Sequence, residues 1–67
     1  MSDGVSLGKS RVISSSGLAL KVATKDHGSL WIPRSVIHDD SEVFDDGDNN
    51  EGNLVVMEWF AEKENLT

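Results

Sequence analysis

The chain has 67 residues, no cysteine and a formal net charge of −6. This length makes one domain without room for a second core or a nucleotide-binding sheet, and the missing cysteines exclude disulfides and thiolate metal sites. Domains below about 70–80 residues usually rely on very good packing or on self-association, so a homodimer or larger assembly stays open. Neither a signal-like N-terminus nor an apolar run of the roughly 18–20 residues that span a bilayer is present, so we expect a cytoplasmic protein that binds no membrane.

Charge is unevenly distributed along the chain. Residues 1–38 carry five basic and two acidic side chains, a net of +3, whereas residues 39–67 carry one basic and ten acidic side chains, a net of −9. The acidic total disfavours non-specific binding to phosphate backbones. It leaves open a local basic face, which would contain Lys9, Arg11, Lys21, Lys25 and Arg34.

The first half of the chain predicts strands joined by short turns. Residues 1–8 are small and polar and are expected to form a flexible N-terminus, so the single β-rich domain is expected to span residues 9–67. A short strand is predicted at 9–13, followed by a serine-rich turn. The next strand alternates, with Leu18, Leu20 and Val22 on one side, as in a half-buried strand.

The densest apolar run of the chain begins at Leu30 and is expected to be the central strand of the sheet. Leu30 and Ile32 are predicted to face the core, and Trp31 and Pro33 to face the other side. Because proline has no N–H to donate to a ladder, the strand is predicted to be an edge at Pro33 or to end there. Residues 34–37 are expected to turn back towards the core.

The second half of the chain predicts an acidic loop followed by a strand and a helix. Residues 38–53 contain seven carboxylates and no basic residue, so we expect a long loop kept extended by charge repulsion. A strand at 54–57 and a helix at 58–65 follow. The helix is predicted to carry Phe60 into the core, while Trp59 either packs there too or is available to a partner. The predicted core consists of Leu18, Leu20, Val22, Leu30, Ile32, Val36, Ile37, Leu54, Val56 and Phe60.

These elements together predict an α+β, β-rich fold. The expected architecture is a three- to four-stranded antiparallel meander with one C-terminal helix. A small SH3-like or OB-like barrel with the same helix is the alternative.

No catalytic or metal-binding motif is complete in the sequence. Gly8-Lys9-Ser10 ends like a phosphate-binding loop, but the preceding glycine is one residue too close and no strand comes before it. Asp46-Gly47-Asp48 opens like a calcium loop, but the later glycine and glutamate are one position out of register. Asp26, His27 and Ser29 lie in one predicted turn and cannot converge as a triad. We therefore predict no enzyme activity, no cofactor and no metal site.

Three segments together resemble a known type of domain. They are Leu30-Trp31-Ile32-Pro33-Arg34-Ser35, Asp39-Asp40-Ser41 and Glu58-Trp59-Phe60-Ala61-Glu62-Lys63. Their order within residues 18–66 resembles small, mostly uncharacterised domains of phages and mobile elements, which occur alone or attached to replication and recombination proteins. Members often have proline where Met57 stands, so the expected break between strand and helix is weaker here. The resemblance implies a phage-type accessory module and supplies no catalytic residues.

The predicted function is binding rather than catalysis. We expect a phage-type accessory protein that binds a host or phage protein, with its acidic loop mimicking nucleic acid as an inhibitor would. The candidate partner-binding residues are Trp31, Arg34, Trp59, Asp39, Asp40, Asp45, Asp46 and Asp48. One alternative is an accessory domain for single-stranded nucleic acid in replication or recombination, which would use Lys9, Arg11, Lys21, Arg34 and Trp31. A self-assembling structural protein is the second alternative.

Overall fold

The computed structural model describes residues 3–45, 47 and 50–66. In chain order the elements are β1 (Gly4–Ser15), β2 (Ala19–Thr24), β3 (Gly28–Pro33), a 3-10 helix (Arg34–Val36), β4 (Glu51–Met57) and α1 (Glu58–Lys63). The four strands form one sheet in the order β3-β2-β1-β4, and every pair is antiparallel. The predicted α+β, β-rich fold with one C-terminal helix is confirmed, although only β1, β2 and β3 follow one another as a meander, since β4 lies beside β1.

The core lies on one side of the sheet. Leu20 and Val22 of β2 and Ile32 of β3 are fully buried, and their chain neighbours face outward, as the alternating pattern predicts. The other predicted core residues are buried or packed against the core, apart from Leu18. Leu18 is 85% exposed because it lies in the β1–β2 turn, one residue before β2 begins, where no other element covers it.

β1 is one of the two inner strands of the sheet and is longer than predicted. Instead of a flexible N-terminus, residues 4–8 form part of β1, in which Gly4, Val5 and Ser6 pair with β4; residues 1 and 2 lie outside the described residues. Leu7 is buried in the core. Gly8 has a φ of 81° where the pairing of β1 with β4 shifts register, a backbone conformation that glycine adopts without steric cost.

β3 is an edge strand that ends at Pro33. The prediction at Pro33 is therefore confirmed, while the prediction of a central position for this strand is wrong. The 3-10 helix then carries the chain to the opposite edge, where Ile37 pairs with Val56 of β4. The loop that follows consequently starts against β4.

The first part of the acidic loop is pinned to β4 by hydrogen bonds. The N–H of Glu42 donates to the carbonyl of Asn53 at 2.9 Å, and the N–H of Asn53 donates to Oε1 of Glu42 at 2.8 Å. Ser41 is buried, and its hydroxyl accepts the N–H of Val55 at 3.1 Å. Charge repulsion was the only influence that the sequence indicated for this loop, and the structure adds the hydrogen bonds that hold its first residues against β4.

α1 is short and ends in a Schellman motif. Asn65 has a φ of 60°, its N–H donates to Glu62, and the N–H of Leu66 donates to Ala61 at 2.7 Å. These two bonds satisfy carbonyls at the helix end and turn Leu66 back into the core. No helix in the described part of the chain is long and apolar enough to cross a membrane.

Candidate docking surface

The solvent side of β1, β2 and β3 forms a continuous surface, which we call the outer face. Because Ser10, Val12, Leu20, Val22 and Ile32 point inward and are buried, the residues that alternate with them point outward. The outer face consists of Lys9, Arg11, Ile13, Ala19, Lys21, Ala23, Ser29 and Trp31.

One row of side chains crosses the outer face through Lys21. Lys21 lies opposite Trp31 of β3 on one side and opposite Ser14 of β1 on the other. Ile13 lies beside Ser14, where the register of β1 shifts. Trp31 is 51% exposed and Ile13 45% exposed, while Lys21 is half-buried between its neighbours. Since directly opposed residues have Cβ atoms about 5 Å apart, Trp31 lies beside the stem of Lys21, and Ile13 is exposed next to Ser14 on the other side.

Ile13 is a large exposed residue of this surface that the sequence did not identify as part of a site. It lies at the end of the predicted first strand and was assigned to neither the core nor the site. The alternation along β1 would have predicted the outward direction of Ile13. Ser10 and Val12 face inward, so Arg11 and Ile13 lie on the other side of the strand.

Basic side chains share the outer face with the apolar row. Lys9 and Arg11 are exposed on β1, and Arg11 lies opposite Ala23 of β2. On the other side of β1, Arg11 lies opposite Glu51 of β4, which places one acidic side chain at the border of the surface. The structure therefore brings Lys9, Arg11, Lys21 and Trp31, predicted as a nucleic-acid-binding set, onto one face.

Arg34 is exposed but lies outside this face, in the 3-10 helix. Its Nε and Nη2 atoms donate to the carbonyl of Ser16 at 3.3 and 3.1 Å, and its own N–H donates to the carbonyl of Leu18 at 2.9 Å. These bonds tie the 3-10 helix to the β1–β2 turn. The predicted binding residue Arg34 thus has a structural role, and its guanidinium charge lies at the end of β3.

Trp59 is 57% exposed, so it does not pack in the core and is available to a partner. It lies on α1 and contacts Phe60 edge to face, with ring centroids 6.1 Å apart and an interplanar angle of 89°. The helix rests on the sheet through Phe60 and the fully buried Ala61, because a small side chain lets the helix approach closely. No ring contact in the described part of the chain joins Trp31 to Trp59.

The predicted acidic binding residues lie on the loop after the 3-10 helix. Asp39 and Asp40 are exposed, and the N–H of Asp40 donates to Nδ1 of His38 at 3.0 Å. The carboxylate of Asp45 accepts the N–H of Gly47 at 2.8 Å. Asp46 and Asp48 lie outside the described residues.

The outer face is an open surface of the sheet. No pocket is found in the part of the chain that the structure describes. Within the same residues, no three histidine or carboxylate side chains lie close enough together to hold a metal ion. An open surface of apolar and basic side chains can bind a macromolecule by contact. No protein-family model, curated protein or solved structure matches the chain.

Proposed function

We propose that this chain is a non-enzymatic binding module that docks a partner protein on its outer face, with Trp31 as the anchor. The supporting observation is that Trp31 is 51% exposed on a strand of the sheet, in one row with Lys21 and the exposed Ile13. Tryptophan is enriched among the residues that dominate binding energy. A ring presented by a paired strand also loses little conformational freedom on binding. The resemblance to phage accessory domains adds that the partner is a host or phage protein in the cytoplasm.

Replacing Trp31 by alanine is expected to weaken the complex by at least about thirtyfold, the effect of losing one hot-spot side chain. The protein would be immobilised to capture a partner from a bacterial extract, and the partner identified by mass spectrometry would be purified for affinity measurement. Trp59→Ala is the matched control, since it removes the other exposed tryptophan from a different element. Unchanged affinity in the Trp31 variant refutes docking through this residue, and loss in the Trp59 variant instead places the interface on α1.

The salt dependence of the same affinity distinguishes binding through apolar contacts of the outer face from binding through charged side chains of the loop. Contacts made by apolar side chains of the outer face persist as salt is raised, whereas exposed charge pairs are screened. If the loop mimics nucleic acid, affinity falls steeply with salt and falls again when its carboxylates are neutralised, namely Asp39, Asp40, Asp45, Asp46 and Asp48. Affinity that is insensitive to both changes contradicts the mimicry hypothesis and leaves the outer face as the interface.

Single-stranded nucleic acid is the second candidate ligand. The observation that favours it is the common face shared by Trp31 and the basic side chains of Lys9, Arg11 and Lys21. Aromatic rings that stack bases beside cations that follow the backbone are the usual elements of such sites. The net charge of −6 opposes this reading, because the whole chain repels phosphate.

A fluorescence titration tests the second candidate directly. The chain has two tryptophans, so Trp59→Phe leaves Trp31 as the single tryptophan fluorophore. Titration at low salt with oligothymidylate of about 20 nucleotides, longer than a typical site, is expected to leave this fluorescence unchanged if the ligand is a protein. Saturable quenching that is lost on Lys21→Ala would establish nucleic-acid binding instead.

A further inference from the structure

Among the residues that the structure describes, no segment pairs with the outer backbone edge of β3. The N–H of Arg34 donates to the carbonyl of Leu18, and the same register places Lys21 opposite Trp31. Hydrogen-bonded and non-hydrogen-bonded residues alternate along an antiparallel pair. The N–H and C=O groups of Ser29 and Trp31 therefore point away from β2. Within the described ranges of the chain, no other segment pairs with them.

The opposite edge of the sheet is covered by the chain itself. The carbonyls of Val55 and Asn53 accept the N–H groups of His38 and Glu42, both at 2.9 Å. The N–H of Val55 donates to the hydroxyl of Ser41, and that of Asn53 donates to the carboxylate of Glu42. The loop thus occupies the outward groups of β4, which makes β3 the open edge of the described sheet.

The open edge lacks the residues that usually prevent strands from pairing. Exposed edges are commonly protected by a lysine, a proline or a bulge. From Gly28 to Ile32, β3 has no charged residue and no proline, and its protection begins only at Pro33. The charges lie just beyond the two ends of the strand, with Lys25 and Asp26 before it and Arg34 after it.

We propose that two copies of the chain associate by pairing their β3 strands antiparallel about a twofold axis at Leu30. This register places Ser29 opposite the partner's Trp31, so all the outward groups of both residues form hydrogen bonds across the axis. A register centred on Trp31 would place Ser29 opposite the partner's Pro33, which has no N–H to donate. The register centred on Leu30 therefore pairs the outward N–H and C=O groups of the edge and avoids the proline.

Charge complementarity supports a second copy as the occupant of this edge. Asp26 and Arg34 lie four residues to either side of Leu30, so the twofold axis brings Asp26 of each copy towards Arg34 of the partner subunit. Both groups are exposed. The apolar middle of the strand and the opposite charges at its ends are therefore self-complementary, as an interface between identical subunits must be.

The dimer would join the two sheets into one of eight strands. The outer faces of both copies would then be continuous, and each Trp31 would lie beside the partner's Ser29 on the same side of the sheet. Association would need no other protein, so it goes beyond the proposed docking function and can fail or succeed independently of it.

Sedimentation equilibrium of the purified full chain tests the proposal, with an expected concentration-dependent equilibrium between monomer and dimer. Ser29→Pro removes an N–H that points away from β2. We expect the dissociation constant of the dimer to rise about thirtyfold, because two symmetry-related hydrogen bonds are lost. Ser29→Ala keeps the N–H and is the matched control.

Asp26→Arg places like charges at both ends of the interface and is expected to raise the dissociation constant of the dimer about tenfold. Asp3→Arg makes the same change of net charge at the far end of the sheet and should have no effect.

Amide hydrogen exchange shows whether the correct edge is used. In the dimer, the amides of Ser29 and Trp31 are expected to become protected as protein concentration rises, and no comparable change should occur in β4. A chain that remains monomeric up to about 1 mM overturns the proposal, because an association weaker than this leaves nearly all of the protein monomeric. A dimer that is equally strong in the Ser29→Pro and Asp26→Arg variants overturns it too, since another surface would hold the subunits together. Protection of β3 that appears only with a captured partner protein shows that the edge takes a different chain.

Discussion

Replacing Ser41 by alanine is expected to lower the free energy of unfolding by about 3 kcal/mol, because two buried N–H groups would lose their acceptor. Ser41 is 3% exposed, and its hydroxyl accepts the N–H of Val43 and that of Val55, both at 3.1 Å. The same hydroxyl donates to the carbonyl of Val43 at 3.0 Å. Val43 and Val55 are themselves buried, so water cannot easily replace the lost bonds. Urea unfolding followed by tryptophan fluorescence measures the loss.

Ser35→Ala is the matched control for this substitution. Ser35 is exposed in the 3-10 helix, and its replacement should change stability by no more than about 0.5 kcal/mol. Amide exchange in the Ser41 variant should accelerate first at Val43 and Val55, ahead of the β2 core residue Val22. A loss below about 1 kcal/mol, or uniform acceleration across the sheet, would show that the loop is held to β4 by something other than this hydroxyl.

The strands and their inward faces could be predicted because they depend on local chemistry. Alternation at Leu20 and Val22 needs only a half-buried strand, and the end of β3 at Pro33 follows from a missing N–H. The outward direction of Trp31 follows from the same alternation, with Ile32 buried beside it. These inferences do not require knowledge of which strands are neighbours.

The exposure of Leu18 and of Trp59 has one physical cause, which is that burial depends on what lies opposite a side chain. Leu18 continues the alternation of β2 but lies beyond the end of the strand, where no other element reaches it. In α1, either neighbour of Phe60 could have been buried with it. The structure buries the small Ala61 and leaves the large Trp59 outside, because close approach of helix and sheet outweighs the larger apolar area.

The pinned loop could not be predicted because its bonds join residues far apart in the sequence. Ser41 and Val55 are 14 residues apart, and Glu42 and Asn53 are 11 apart. Composition indicated only repulsion among carboxylates, which is a real effect but a weak one for exposed charges in salt. The residues of the outer face share this limit, since that face exists only once β1, β2 and β3 are placed side by side.

Replacing Gly52 by alanine is expected to lower the free energy of unfolding by about 3 kcal/mol, through backbone strain and crowding together. Gly52 has a φ of 140°, a conformation that other residues rarely adopt. A Cβ atom built on it would lie 2.8 Å from Cβ of Glu42 and 3.0 Å from its Oε1. Glu42 cannot move away freely, because its carboxylate accepts the N–H of Asn53 and its own N–H donates to the same residue.

Gly17→Ala is the matched control, because a Cβ atom there would meet nothing within 4 Å. This variant should keep or slightly raise stability, since alanine restricts the unfolded chain more than glycine does. If both glycine variants unfold alike in urea, the fit between Glu42 and Gly52 contributes nothing.

The strain at Gly52 also bears on which edges of the sheet are open. A side chain there would push Glu42 away from β4 and release the outward groups of Asn53, which the loop now occupies. We therefore expect the Gly52 variant to show faster amide exchange at Asn53 and stronger self-association by sedimentation than Gly17→Ala. An unchanged assembly state would mean that the loop stays on β4 without Gly52. The two edges would then differ for a reason other than the fit of this loop.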